Sequence, residues 1–157
     1  MLTAESAENA EKRNSRRKTM KEAVKTRIAG AETRSGTIRG SSQLTASFVP
    51  GTIVDVEDYG VLSLLVKYTM GSGETGNSVI LKVELSVDGT TFYCETDNEV
   101  SLSVKTYTFE ALASPGSYDY FKIDVPIAGV KYAKVSAKET GVASQYGTCE
   151  IKYSVGW

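Results

Sequence analysis

Short segments in which apolar and polar residues alternate fill most of this chain after Pro50. The clearest segment runs from Val79 to Val87, in which valine or leucine occupies every second position. A period of two places these apolar side chains on one face of an extended strand. Asp88-Gly89 follows, a dipeptide typical of tight hairpin turns. We therefore predict a hairpin whose second strand is Thr91 to Thr96.

Similar segments follow one another along residues 48–157. They are Ile53–Val56, Tyr59–Met70, Val100–Val104, Phe121–Val125, Ala133–Ala137 and Cys149–Val155. With the hairpin they make about eight strands in about 110 residues, without a convincing helix, which is typical of an antiparallel β-sandwich. We predict an all-β domain for residues 48–157, and the pattern leaves open whether its topology is jelly-roll or immunoglobulin-like.

Charge is distributed unevenly along the chain. Residues up to Leu44 contain 10 basic and 5 acidic side chains, whereas the remainder contains 8 and 14, so the two parts carry +5 and −6. All six arginines precede Leu44, and all fourteen aromatic residues follow it. We predict that residues 1–47 are a basic N-terminal arm, partly helical or disordered, in which Gly30–Ser47 is an extended linker.

The arm has the features of a segment that acquires order on a partner. Residues 4–29 are mostly good helix formers without Pro or Gly, but their apolar stripe is too narrow to hold a helix firmly on its own domain. A basic row can bind a phosphate backbone or an acidic protein surface. The alternative is a solvated tail without a partner. The predicted partner-binding residues are Arg13, Arg16, Arg17, Met20, Lys21, Val24, Lys25, Ile28, Arg34 and Arg39.

Residues suited to catalysis are few. The chain contains no histidine, which removes the usual general base of Ser and Cys nucleophiles and the commonest zinc ligand. The carboxylates fall near strand ends and turns, where solvated acids are ordinary. The segment GSGETG (71–76) matches a dinucleotide-binding fingerprint, but a strand follows it where the phosphate site needs a helix. We expect no enzymatic activity, no cofactor and no metal.

The two cysteines are too few for a disulfide framework. Cys94 and Cys149 are predicted to be buried free thiols, with a bridge between adjacent strands as the alternative. No stretch approaches the ~18 apolar residues of a membrane span, and the N-terminus lacks the apolar core of a secretory signal. We therefore expect no membrane partner.

Tyrosines are frequent, and SYDYF places Tyr118 and Tyr120 two residues apart on one strand face. Exposed tyrosines can stack on sugar rings or fill a protein interface, and the alternative is that they pack at the edges of the sandwich. We predict Tyr118 and Tyr120 as surface-recognition residues.

Three segments, LKVELSVDGTTFY, YFKIDVPIAGVKYAKVSAKETG and GTCEIKYSVGW, resemble β-sandwich domains of structural proteins of tailed bacteriophages. The resemblance is to accessory head and decoration proteins in particular. It covers about the C-terminal 100 residues and depends on the hairpin at 86–92 and the Lys131–Ala137 strand after Pro126. It implies a protein that sits on or between capsid subunits, with no catalytic residue to assign.

Together, the arm and the resemblance predict a non-enzymatic structural protein of the virion, made in the host cytoplasm. It would be an accessory or decoration component, held to other capsid proteins by its arm and present as a homo-oligomer or in many copies. One alternative is a carbohydrate-binding module for attachment to the host surface. The other is a coat protein whose arm binds nucleic acid.

Overall fold

A computed structural model describes residues 33–74, 76–96, 104–142 and 144–157. These residues form ten β-strands, all paired antiparallel: β1 (Arg34–Gln43), β2 (Val49–Pro50), β3 (Val54–Asp55), β4 (Val61–Thr69), β5 (Ser78–Ser86), β6 (Tyr93–Cys94), β7 (Tyr107–Glu110), β8 (Tyr118–Pro126), β9 (Tyr132–Glu139) and β10 (Thr148–Gly156). Within these ranges there is no helix, and hence none long and apolar enough to cross a membrane. The prediction of an all-β fold is confirmed for this part of the chain.

The strands form two sheets. Sheet A has the order β1-β10-β4-β8, and sheet B has the order β2-β9-β5-β6. In sheet B, β3 also pairs with β9, and β7 also pairs with β5 on the side that β6 occupies. Thus β2 with β3, and β6 with β7, each act as one interrupted strand.

The order of the strands distinguishes the two topologies that the sequence left open. Counting each interrupted strand once leaves eight strands, ordered 1-8-3-6 in sheet A and 2-7-4-5 in sheet B. Two interlocked Greek keys give this order, which is that of a jelly roll, whereas an immunoglobulin-like sandwich pairs its first strand with its second.

The core lies between the sheets, where the alternating apolar residues meet. In β4 the inward side chains are Leu62, Leu64, Val66 and Tyr68, and in β5 they begin with Val79, Leu81 and Val83; all are buried. Phe109 of β7 stacks on Phe121 of β8 across the sheets, with ring centroids 4.6 Å apart. Each fully buried valine or leucine stabilises the fold by about 1.5–3 kcal/mol.

Strand β1 corrects the prediction of a linker over Gly30–Ser47. Arg34 to Gln43 pair with β10, and Ile38 and Leu44 are buried in the core. The sheet therefore begins at Arg34, well before the predicted domain start at residue 48. Alternation does not reveal this strand, because it is rich in Gly, Ser and Thr and its pairing shifts register twice.

The predicted hairpin is present but differs in detail. Strand β5 returns through residues 87–92 to only two paired residues, Tyr93 and Cys94. Asp88 Oδ1 accepts hydrogen bonds from the amides of Thr90 and Thr91, each at 2.8 Å, and these bonds lower the pKa of Asp88. The connection is thus a six-residue loop around the Asp-Gly pair. Of the predicted strand Val100–Val104, only Val104 lies within the described residues, where it bridges to Thr96.

Candidate functional site

The outer face of sheet A carries the tyrosines that the sequence singled out. Along β4 and β8 the residues that alternate with the buried ones point away from the core. The register places Tyr120 opposite Lys67, and Lys122 opposite Leu65. We call the set Leu65, Lys67, Tyr118, Tyr120 and Lys122 the tyrosine–lysine face.

Tyr118 and Tyr120 are exposed neighbours. Their side chains are 53% and 70% exposed, and their rings meet edge to face with centroids 5.3 Å apart. Lys67 Nζ lies 4.4 Å from the centroid of Tyr118 and 6.0 Å from that of Tyr120. A cation over a ring face is attracted by its quadrupole, so Lys67 helps to hold the pair in place.

Ion pairs along single strands neutralise much of the charge around these rings. Lys122 Nζ lies 2.7 Å from Asp124 Oδ2, and Ser63 Oγ donates to Asp124 Oδ1 at 2.5 Å; both contacts lower the pKa of Asp124. On β10, Lys152 Nζ lies 2.9 Å from Glu150, which raises the pKa of Lys152. The face therefore offers aromatic edges and aliphatic surface, including the half-exposed Leu65, within a balanced charge pattern. Such a surface suits contact with protein or sugar.

The predicted arginines that the structure describes lie elsewhere, on β1. Arg34 is partly exposed, 3.9 Å from Asp55, and its guanidinium carbon lies 5.7 Å from the ring centroid of Tyr59. Arg39 is only 8% exposed, and its Nη2 donates to the Gln43 carbonyl at 2.8 Å. Arg39 is therefore largely buried, with one hydrogen bond inside its own strand, and its role in binding a partner stays a prediction. The predicted residues from Arg13 to Ile28 lie outside the described residues.

A second polar cluster is buried at one end of the sandwich. Glu139, at the end of β9, is 2% exposed and accepts hydrogen bonds from Tyr68 Oη at 2.6 Å and from the amide of Gly147 at 3.1 Å. Burial raises the pKa of Glu139 and of Tyr68. Nearby, buried Glu74 accepts from the Asn77 amide and from a backbone N–H. These bonds fix loops to the sheets, so the cluster is structural.

Sequence reasoning missed both buried carboxylates and the residues of β4 on the tyrosine–lysine face. A lone acid near a strand end is ordinarily solvated, and no residue-type pattern marks Glu74 or Glu139 as buried. The segment 59–70 reads as almost continuously apolar because Leu65 points outward. Lys67 is the residue that could have indicated the outward face, because a lysine in a strand ordinarily points to solvent and the odd-numbered residues of β4 share its direction.

The described ranges contain no cluster of side chains suited to a metal ion, since no group of three or more Cys, Asp or Glu side chains is placed to hold one there. Cys149 is buried and Cys94 is half-buried; neither forms a disulfide, so the bridge left open by the sequence does not occur. The fold and its surfaces define a jelly-roll sandwich with an exposed aromatic face.

Comparison with known proteins adds similarity of fold only. No protein-family model and no curated protein matches the chain. Similar solved structures include infectious bursal disease virus Gx strain (12% identity, TM-score 0.45, 80% of this chain and 32% of the other). Others are Bacillus endospore appendages (12%, 0.39, 79% and 87%) and the K1 cleaved adhesin domain of Lys-gingipain from Porphyromonas gingivalis W83 (14%, 0.39, 80% and 83%).

This chain spans about a third of the length of the viral proteins it matches. At TM-scores below 0.5 these similarities carry no conclusion about function, and the jelly-roll assignment depends on the order of the strands in this chain.

Proposed function

We propose that this protein is a non-enzymatic structural component of a virus particle, an accessory or decoration protein located on the capsid. Its basic N-terminal segment, residues 1–32, would hold it to neighbouring subunits, in an assembly of many copies. The supporting observation is that a self-contained jelly roll begins at edge strand β1, directly after this segment. A structural role needs a rigid body and a means of attachment, and it needs no catalytic centre.

The distribution of charge supports attachment between copies. Residues 1–32 contain 8 basic and 5 acidic side chains, a net charge of +3, whereas residues 33–157 contain 10 and 14, a net charge of −4. Opposite charges on two parts of one chain favour contact between the arm of one copy and the body of another. If the arm becomes ordered only on binding, the conformational entropy that it loses offsets part of the interaction energy, but the arm can then cover a large surface.

The position of β1 decides how the arm should be tested. A truncation at residue 44 removes an edge strand with two core residues, so loss of incorporation could reflect unfolding. Full-length variants avoid this problem. In the first, Arg13, Arg16 and Arg17 are changed to Gln; in the control, three lysines of the sandwich, Lys105, Lys131 and Lys138, are changed to Gln for the same change in net charge.

We expect the arm variant to be lost from particles purified from the host cell and the control to be incorporated normally. Equal incorporation of both variants would contradict anchoring by the arm. Binding of the wild-type chain to DNA or RNA that weakens steeply with salt, and is lost in the arm variant, would favour the coat-protein alternative.

The exposed tyrosine pair favours a second candidate, a carbohydrate-binding module for host attachment. Tyr118 and Tyr120 present adjacent ring surfaces at which a sugar could stack. The test is a glycan array with the full chain and with a Tyr118→Ala/Tyr120→Ala variant. Saturable binding that the variant lacks would support this candidate, and absence of binding by the wild type would reject it.

A further inference from the structure

Strand β8 is an open edge of sheet A. It pairs with β4 on one side, and no described strand lies on the other. Its nine residues pair with β4 without a register shift. Just beyond the two ends of this ladder, Met70 N donates to Ser117 O at 2.8 Å and Ile127 N donates to Gly60 O at 2.9 Å.

These two bonds fix the direction of every backbone group in β8. Residues 117 and 127 are bonded towards β4, and alternate residues of an antiparallel strand share their bonding direction. The odd-numbered residues therefore bond to β4. The even-numbered residues Tyr118, Tyr120, Lys122 and Asp124 direct their backbone N–H and C=O groups away from the sheet.

The opposite edge of sheet A is protected, which makes the β8 edge distinctive. Strand β1 shifts register at two places, between Thr37 and Arg39 and between Arg39 and Ser42. In addition, the carbonyl of Ile38 accepts a hydrogen bond from Thr52 N at 2.8 Å. Irregular edges resist pairing with another chain, whereas a long regular edge provides a template for it.

We propose that a second copy of this chain pairs antiparallel with β8 about a two-fold axis at Ile123, joining two four-stranded sheets into one of eight strands. In this register Lys122 lies opposite the partner's Asp124, and Asp124 lies opposite the partner's Lys122. Tyr120 lies opposite the partner's Pro126. Lys122 and the partner's Asp124 then meet as hydrogen-bonded pairs on both sides of the axis. Pro126 has no backbone N–H, so its carbonyl accepts a bond from the partner's Tyr120 and donates none in return.

Charge complementarity selects this register. Lys122 and Asp124 already lie 2.7 Å apart within one strand, so the two-fold axis completes a square in which positive and negative charges alternate. An axis one residue earlier, at Lys122, would place like charges directly opposite each other, which is destabilising. An axis at Phe121 would place Asp124 opposite the partner's Tyr118 and leave its charge without a cationic partner across the interface.

This inference goes beyond the proposed function and does not depend on it. Attachment by the arm involves residues 1–32, whereas self-pairing involves β8, so each can fail while the other holds. The partner here is a second copy of the chain, and the contact is isologous, because the same strand is used on both sides.

The test measures self-association of the full-length chain by sedimentation equilibrium over a range of concentrations. Lys122→Glu and Asp124→Lys each place two like-charged pairs in the dimer, and each should weaken association by about tenfold or more. The double variant restores opposite charges across the axis and should associate as the wild type does. The control, Lys152→Glu, breaks the equivalent pair with Glu150 on interior strand β10 and should have no effect.

A wild-type chain that stays monomeric at all concentrations would overturn the proposal. So would single variants that associate as well as the control, or a double variant as weak as the singles. A second readout does not depend on variants: amide hydrogen exchange at Lys122 and Asp124 should slow as protein concentration rises, while exchange at Ile123 should already be protected at the lowest concentration. Exchange at Lys122 and Asp124 that is independent of concentration would also overturn it.

Discussion

The burial of Ile38 is the clearest evidence that residues 34–43 form a structural strand and not a linker. This residue lies in the middle of β1 and is 1% exposed, whereas a linker residue would be in solvent. Truncating a buried isoleucine to alanine removes its transfer free energy and leaves a cavity, which costs about 2–5 kcal/mol. A small domain is stable by only about 5–15 kcal/mol, so Ile38→Ala should remove a large share of the stability.

The assay is urea unfolding of the full chain followed by far-ultraviolet circular dichroism, with Thr37→Ala as the matched control. Thr37 is the adjacent residue on β1, and its side chain is exposed. We expect the control to change the free energy of unfolding by less than about 0.5 kcal/mol. An Ile38→Ala variant as stable as the control would refute the inclusion of β1 in the core, and it would restore the linker interpretation.

Three further predictions concern the interior. Burial raises the pKa of Glu139 above its ordinary value of 4.5, so the folded state binds the carboxyl proton more tightly than the unfolded state does. The free energy of unfolding should therefore fall as pH rises from 4.5 through the raised pKa. Glu139→Gln should flatten that fall in unfolding curves measured from pH 4 upward. Gly71→Ala should destabilise the fold strongly, because a Cβ there would overlap the Gln145 carbonyl, whereas a Cβ at Gly40 meets open space and Gly40→Ala should be nearly neutral. Thermal melts of the two variants test this difference, and equal melting temperatures would contradict the close contact between Gly71 and Gln145. Burial raises the pKa of Cys149 to about 12, so iodoacetamide at pH 8 should modify the half-buried Cys94 first, and equal rates by mass spectrometry would contradict the burial of Cys149.

The all-β class of the fold can be predicted from the sequence in strands whose apolar residues alternate in step with the buried positions. Strand β5 alternates cleanly, and its predicted bounds differ from the structure by one residue at each end. Strand β1 could not be predicted in the same way, because only Ile38 and Arg39 of its ten residues are buried. The choice of jelly roll over immunoglobulin-like topology depends on which strands pair at long range, and period alone carries no such information.

The tyrosine–lysine face was predictable in part for a related reason. Spacing along one strand places Tyr118 and Tyr120 on a common face, and the structure has them there. Lys67 joins them only through the register of β4 against β8, 53 positions from Tyr120 in the chain. A surface made from two strands becomes visible only when their pairing is known.

The two proposed contacts have different consequences for assembly. A two-fold contact through β8 is isologous, so alone it stops at a dimer. A contact between the arm of one copy and the body of another is heterologous, and it can continue from copy to copy or close into a ring. Together they would link dimers into a larger lattice, because the arm leaves the domain at β1 and the two-fold contact uses β8, the opposite edge of sheet A. The variants separate these roles: loss of the arm charges should leave dimers, whereas Lys122→Glu should leave copies that still bind a neighbour through the arm.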